Sequence, residues 1–290
     1  MNRGWLPVTA LVALTFLGCG PRPDSGRAGT VVLPDGSLAF DERGRGPAMV
    51  FIHGGNLDRR MWDEQFAVFA EGRRVIRYDV RGFGQSSAPV GRYQSHRDLA
   101  ALLDSLGVER ATLVGLSLGG RIAIDFALTH PTRVDRLILA GSGLSGWPDW
   151  SGADTTWYPR IEAAVKDSNP AAIAAAWLSS DYMRPAMELP RMAPVLERLS
   201  RENTPNWLRP RDPEAVLDPP GAGRLRELRV PTLVLVGDRD SPPILRIADS
   251  LMAAVEGARL VRFPGAGHMV NMEEPARFNQ AVRDFLAEAR

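Results

Sequence analysis

Short apolar runs alternate with amphipathic stretches along most of the chain. The apolar runs are typical of strands buried on both faces, and they lie at 48–52, 75–78, 111–114, 134–140, 231–236 and 259–263. A turn at 34–36 between two strand-like runs predicts a hairpin over 31–41. Helical periodicity is found between the strands, at 59–70, 98–106, 121–130, 244–255 and 275–287. This alternation predicts an α/β fold with a mostly parallel, doubly wound sheet, whose site lies at the carboxyl ends of the strands.

The alternation is interrupted between residues 144 and 228. This stretch contains many prolines and two alanine-rich helical patches, at 161–165 and 171–178. It also contains five of the seven tryptophans of the chain. We therefore expect three units, which are a segment outside the fold at 1–29, an α/β core at 30–143 and 229–290, and a helical insertion at 144–228.

The composition argues against several classes of function. With 35 basic and 34 acidic residues the net charge is +1, so no nucleic-acid partner is expected. The segment Gly82-Phe83-Gly84 lacks the remaining residues of a phosphate-binding loop. No cluster of histidine, cysteine and carboxylate residues has the spacing of metal ligands in the sequence, so we expect no metal and no cofactor. The only cysteine is Cys19, which excludes an intramolecular disulfide.

The N-terminal segment has the features of a targeting signal. Arg3 precedes an apolar stretch over 5–17 that is short for a membrane span, and Cys19 is followed by a polar stretch over 20–29. The segment resembles a bacterial lipoprotein signal, in which cleavage before the cysteine exposes it for lipidation. This resemblance implies a bacterial cell-envelope protein, held at the periplasmic or outer face of a membrane only by lipid on Cys19. An ordinary secretory signal is the alternative, and it implies a soluble periplasmic or secreted protein.

The segment Gly115-Leu116-Ser117-Leu118-Gly119 follows a predicted strand and precedes a predicted helix. The pattern G-x-S-x-G in this setting is typical of a nucleophile elbow, the sharp turn that exposes a reactive serine at the end of a strand. Glycines are needed on both sides because side chains there would collide with the strand and the helix. A serine hydroxyl is a weak nucleophile without an adjacent base, so a histidine is expected beside it in the fold.

Five segments together resemble the α/β-hydrolase superfamily over nearly all of residues 30–290. They lie at 53–55, 78–86, 115–120, 237–240 and 265–268. The N-terminal part of the core resembles the branch of esterases, enol-lactonases and cofactor-free haloperoxidases. The resemblance implies an α/β-hydrolase fold in which residues 144–228 form a helical cap over the site.

The resemblance also implies a catalytic triad. The members of this triad are Ser117, Asp240 and His268, which follow the family's chain order of nucleophile, acid and histidine. His268 would take the proton of the serine, and the carboxylate would hold the second ring nitrogen. Asp238 is a rival for the acid, because it lies only two residues earlier in the same loop.

A tetrahedral intermediate also needs N–H donors for its negatively charged oxygen. The resemblance implies that these are the backbone N–H groups of Leu118 and Gly55, which follow the serine and the first buried strand. Asn56 either adds a side-chain donor or stabilises the turn.

The sequence therefore predicts a serine hydrolase that cleaves a small carboxylic ester or lactone through an acyl-enzyme on Ser117. Four tryptophans of the cap either line an apolar substrate pocket or hold the cap together: Trp147, Trp150, Trp157 and Trp177. The alternatives are a cofactor-free haloperoxidase or perhydrolase, a carbon–carbon bond hydrolase, and a receptor-like homologue that binds a ligand without turnover. We expect a monomer or a dimer.

The substitution Cys19→Ser tests the expected anchor. With its signal intact in a bacterial host, the protein should enter the membrane fraction and carry label from fatty acid. Stable anchoring needs more than one acyl chain, because each buried CH₂ contributes only about 0.8 kcal/mol. The substitution should abolish the label, whereas a chain that starts near Ala28 should be soluble and active. Fatty-acid label that persists in the Cys19→Ser variant would contradict the anchor.

Overall fold

The computed structural model describes residues 26–208 and 214–288. The predicted lipid anchor at Cys19 lies outside these residues. The described chain forms one eight-stranded sheet flanked by helices, which confirms the predicted α/β fold with a mostly parallel sheet. Within the described ranges, no helix has both the length and the apolar character needed to span a membrane.

The order of the strands in the sheet is β1-β2-β4-β3-β5-β6-β7-β8. Their bounds are Arg27–Leu33 (β1), Gly36–Arg43 (β2), Ala48–Ile52 (β3), Arg74–Tyr78 (β4), Ala111–Leu116 (β5), Val134–Ala140 (β6), Thr232–Gly237 (β7) and Arg259–Phe263 (β8). The hairpin strand β2 is antiparallel to β1 and β4, and all other neighbouring pairs are parallel. Because β3 leads to β4 on one side and β5 leads to β6 on the other, a topological switch point lies between β3 and β5, where ligands bind in such sheets.

The helices of the described residues are mostly short. Their bounds are Asp63–Phe69 (α1), Ser95–Ser105 (α2), Leu118–Thr129 (α3), Tyr158–Lys166 (α4), Pro170–Leu178 (α5), Arg184–Met187 (α6), Ala193–Glu202 (α7), Pro205–Leu208 (α8), Pro242–Ala254 (α9), Val270–Glu273 (α10) and Pro275–Ala287 (α11). Single 3₁₀ turns lie at Arg59–Trp62, Pro131–Arg133, Gly221–Gly223 and Leu225–Glu227.

The core lies on both faces of the sheet, as the unbroken apolar runs predict. Along β3, Val50 and Ile52 join one apolar cluster, whereas Met49 and Phe51 join another. Side chains of a strand alternate between its two faces, so these clusters cover opposite sides. Every residue of β5 and β7 is buried.

The segment between β6 and β7 carries α4 to α8, in the range predicted for a helical cap. Ile161 and Ile173 pack in a small cluster of their own, together with the partly buried Trp157 and Trp177. Further along the same segment, apolar side chains such as Met183 join one of the two sheet clusters. The cap therefore packs on the sheet as well as on itself.

Several predicted boundaries move by a few residues. The helix expected over 59–70 begins as the 3₁₀ turn Arg59–Trp62, where the Asp58 side chain accepts the Arg60 N–H. Helix α2 begins three residues before the predicted position at 98, and β2 continues beyond the predicted end of the hairpin at 41. At its end β2 pairs with β4, which periodicity within one segment does not reveal. At its start β1 begins at Arg27, so residues 27–29, predicted to lie outside the fold, pair with β2 in the sheet.

Candidate active site

The sharp turn between β5 and α3 is centred on Ser117. Its backbone has φ 54° and ψ −111°, a conformation that is rare for a residue with a side chain. The turn is possible because the backbone of β5 meets that of α3 directly. A Cβ at Gly115 would overlap the Gly119 carbonyl group, and a Cβ at Gly119 would overlap the carbonyl oxygen of Ile52. The strained turn leaves Ser117 partly exposed among buried neighbours.

Hydrogen bonds fix this serine against the end of β6. The Ser117 N–H donates to the Ala140 carbonyl at 3.0 Å, and the Ser117 carbonyl accepts the Gly143 N–H at 2.9 Å. Between these two residues lies Gly141, whose φ of 45° favours glycine. The segment 140–143 therefore positions the backbone of the candidate nucleophile.

His268 and Asp240 form a buried hydrogen-bonded pair. Nδ1 of His268 lies 2.9 Å from both carboxylate oxygens of Asp240, and both side chains are almost fully buried. The Asp240 carboxylate also accepts the Ser241 N–H at 2.7 Å. The carboxylate keeps the ring proton on Nδ1, which leaves Nε2 free to accept a proton.

The pKa of His268 is raised above its usual 6.5. Burial alone would lower it, but the negative charge and the hydrogen bond of Asp240 outweigh that effect. The carboxylates of Glu273 and Asp181 act in the same direction as Asp240. The ring is therefore more basic than an ordinary histidine, although water is excluded from it.

The serine and the histidine pair lie at the same edge of the sheet. A Cβ at Gly141 would lie 2.9 Å from Nδ1 of His268 and 3.1 Å from a carboxylate oxygen of Asp240. Gly141 directly follows Ala140, whose carbonyl accepts the Ser117 N–H. The segment 140–143 therefore contacts both the elbow and the histidine pair.

Asp238 occupies a different position from Asp240. Its side chain is exposed, and its carboxylate accepts the Gly265 N–H at 2.8 Å, which stabilises the turn before His268. The hydrogen-bonded partner of the histidine is therefore the later aspartate, as the resemblance implies.

The N-terminus of α3 and the loop after β3 meet at the elbow. Leu118 is the first residue of α3, so its N–H is one of the four that no carbonyl within the helix accepts. Beside it, a Cβ at Gly54 would lie 2.9 Å from the Leu116 side chain and 3.7 Å from Cβ of Ser117. The next residue, Gly55, has open space around its Cβ position. Open space therefore adjoins Gly55 in the loop that packs against the elbow.

The side chain of His53 holds the loop after β3 through two hydrogen bonds. The Val80 N–H donates to Nε2 of this buried ring at 2.8 Å, so Nδ1 carries the proton and donates to the Gly54 carbonyl at 2.8 Å. Burial lowers the pKa of His53, which keeps the ring neutral. Asn56 has a φ of 58°, a conformation that asparagine tolerates better than most residues, and this favours the turn interpretation.

A series of aromatic rings leads from the cap to His268. Ring centroids are 5.3 Å apart for Trp157 and Trp177, 5.9 Å for Trp177 and Tyr182, and 5.1 Å for Tyr182 and His268. Burial raises the pKa of Tyr182 to about 12, so its phenol is neutral. Tyr182 is absent from the pocket predicted from the sequence, because composition alone does not tell which cap aromatic meets the histidine.

The other two tryptophans predicted for the pocket lie in the loop after β6. The indole N–H of Trp147 donates to the Asp149 carbonyl at 2.7 Å, and that of Trp150 donates to the Trp147 carbonyl at 3.0 Å. Trp150 is 49% exposed. The ring contacts that reach His268 therefore run through Trp157 and Trp177 rather than through this loop. Among residues 26–208 and 214–288, no group of three histidine, cysteine or carboxylate side chains is arranged to hold a metal ion.

Comparison with known proteins gives consistent similarities. A model of the Alpha/beta hydrolase family matches residues 49–281. The 3-oxoadipate enol-lactonase 2 of Acinetobacter baylyi is 29% identical over 244 residues, which are 81% of this chain and 87% of that protein. The 2-hydroxymuconate semialdehyde hydrolase of a Pseudomonas species is 32% identical over 257 residues, which are 86% of this chain and 89% of that protein.

A solved structure shares the fold as well. The crystal structure of an esterase from a Rhodococcus species has a TM-score of 0.76 and 26% identity, and the match covers 91% of this chain and 99% of that one. The family match spans most of the chain and includes both the elbow and the histidine loop. The resemblance drawn from the sequence is confirmed, and the chain belongs to the alpha/beta hydrolase family of enzymes.

Proposed function

We propose that this enzyme hydrolyses small carboxylic esters or lactones, without a metal, through an acyl-enzyme on Ser117. The observation that carries the proposal is the buried hydrogen bond between His268 and Asp240 at the edge where the strained elbow exposes a serine. A serine becomes a nucleophile only when a base takes its proton, and an imidazole held by a carboxylate is such a base.

In the proposed first step, Nε2 of His268 accepts the proton of the Ser117 hydroxyl as its oxygen attacks the substrate carbonyl. The imidazolium that forms is stabilised by the Asp240 carboxylate on Nδ1. The negatively charged oxygen of the intermediate would accept hydrogen bonds from the N–H groups of Leu118 and Gly55. The Leu118 N–H lies at the N-terminus of α3, where the helix dipole favours negative charge.

The intermediate then collapses to the acyl-enzyme. His268 gives its proton to the leaving alkoxide. An ester then releases an alcohol, whereas a lactone opens and keeps the new hydroxyl group on the acyl chain. A water molecule then repeats the attack with His268 as base, which releases the acid and restores Ser117. In this scheme Tyr182 and Trp177 form an apolar wall beside the reacting carbonyl.

Hydrolysis of a carbon–carbon bond is the second candidate function. It is supported by the similarity to the 2-hydroxymuconate semialdehyde hydrolase, which is 32% identical over 86% of this chain. A panel of p-nitrophenyl esters, lactones and a vinylogous diketone separates the two. The proposal requires turnover of at least one ester or lactone, and turnover of the diketone alone would favour the second candidate.

A fluorophosphonate probe should label Ser117. Only a serine activated by an adjacent base attacks phosphorus quickly, so the other serines should remain unlabelled. Peptide mass spectrometry of the labelled protein locates the adduct, and Ser117→Ala is the control that should abolish it. An adduct on another residue, or none on the folded protein, would overturn the proposed nucleophile.

Asp240→Asn should lower kcat by about 10³- to 10⁴-fold, because the ring loses its orienting and stabilising charge. The pH profile should change as well. Neutral His268 is the active form, and its pKa is raised above 6.5, so activity should fall as pH decreases through a value above 6.5. Without the carboxylate charge, burial lowers this pKa, and the acid limb of kcat/KM should move to lower pH.

Asp238→Asn is the matched control for this change. Its carboxylate holds a turn at the surface, so the variant should retain kcat and the acid limb of the wild type far better than Asp240→Asn. If the two variants exchanged effects, the acid of the proposed mechanism would be Asp238.

A further inference from the structure

One buried carboxylate accepts the backbone N–H groups of the two residues that flank His268. Glu273 ends the short helix α10, and its side chain folds back toward the histidine. One carboxylate oxygen accepts the Gly267 N–H at 2.7 Å, and the other accepts the Met269 N–H at 2.9 Å. Glu273 is only 5% exposed. A single side chain therefore satisfies the N–H groups of both residues that flank His268.

The cap contacts the same loop. A Cβ at Gly267 would lie 2.6 Å from Cβ of Pro185, so the cap packs directly on the backbone next to the histidine. The guanidinium of Arg191 donates to the Met272 carbonyl at 2.8 Å and to the Glu273 carbonyl. The histidine loop therefore contacts both the cap and Glu273, and Arg191 of the cap bonds to the helix that carries Glu273.

We propose that Glu273 is a positioning residue for the reaction, acting on His268 through the backbone N–H groups of the two residues that flank it. The inference rests on the proposed function, because it assigns the residue a part in presenting the base to Ser117. A carboxylate that receives two N–H groups fixes both the place and the orientation of the peptide between them. A ring displaced by even about 1 Å from its productive position can lose about 10²-fold in rate.

The charge of Glu273 supplies a second, measurable effect. Three carboxylates raise the pKa of His268, which are Asp240 from the loop after β7, Glu273 from α10 and Asp181 from the cap. Removing one of these charges should make the ring less basic. A residue that only stabilises the fold would leave the acid limb of the rate profile unchanged.

The test uses Glu273→Gln in the full chain. The readout is the rate constant for inactivation by the fluorophosphonate probe across pH, because this reaction needs the base but no particular substrate. Inactivation should be about tenfold slower or more, as expected of a misplaced base, and its acid limb should move to lower pH. KM for an ester should change little, since Glu273 bonds to the backbone and not to substrate.

Glu274→Gln is the matched control, since this neighbouring side chain is exposed and should retain the wild-type rate and pH profile. A folded Glu273→Gln variant with the wild-type rate and acid limb would overturn the inference.

If that variant does not fold, Glu273→Asp is the second test. It keeps the charge but withdraws it by one methylene, so it should react more slowly with an unchanged acid limb. Wild-type inactivation by Glu273→Asp would also overturn the inference, whereas failure of the probe to react with wild-type Ser117 would instead refute the proposed function.

Discussion

At its start, helix α3 packs with its backbone directly against the backbone of β3 and β5, and the candidate site depends on this close approach. Helix α3 touches the carboxyl end of β3 through Gly119 and folds back on β5 through Gly115. Only because both positions lack a Cβ can the chain turn through Ser117 in a left-handed conformation. The same turn brings the N-terminus of α3 beside the loop after β3, at the topological switch point of the sheet. The exposed serine and the N–H groups near it are thus consequences of one steric constraint.

The cap docks on the two loops that carry Asp240 and His268. Glu188, which follows α6, forms an ion pair at 2.7 Å with Arg239, the residue before Asp240. The Tyr182 ring meets the His268 ring edge to face. An exposed ion pair contributes little to stability, but the packing of Tyr182 excludes water from the imidazole. Tyr182 therefore belongs to the wall of the proposed pocket and also packs on the proposed base, His268. Through this contact, a substrate that displaces Tyr182 would also shift the histidine ring.

The sequence is informative where local pattern and local chemistry coincide. Strands buried on both faces read as apolar runs, and the elbow has its own spacing of glycines, so both could be predicted. Only the family resemblance separates Asp240 from Asp238, because the two share a loop and differ in which one the tertiary fold turns toward the histidine. Tyr182 and Glu273 could not be assigned, since their importance lies in contacts between distant or folded-back segments rather than in any motif.

A buried carboxylate makes one histidine more basic than the others. In the described chain burial lowers the pKa of the other histidines, His53, His96 and His130, whereas the pKa of His268 is raised by Asp240 despite its burial. A ¹⁵N NMR titration of histidine-labelled protein measures all four rings in one experiment. We expect His268 to titrate above 6.5 and the other three rings to titrate below 6.5. A His268 pKa at or below 6.5 would show that Asp240 does not outweigh burial.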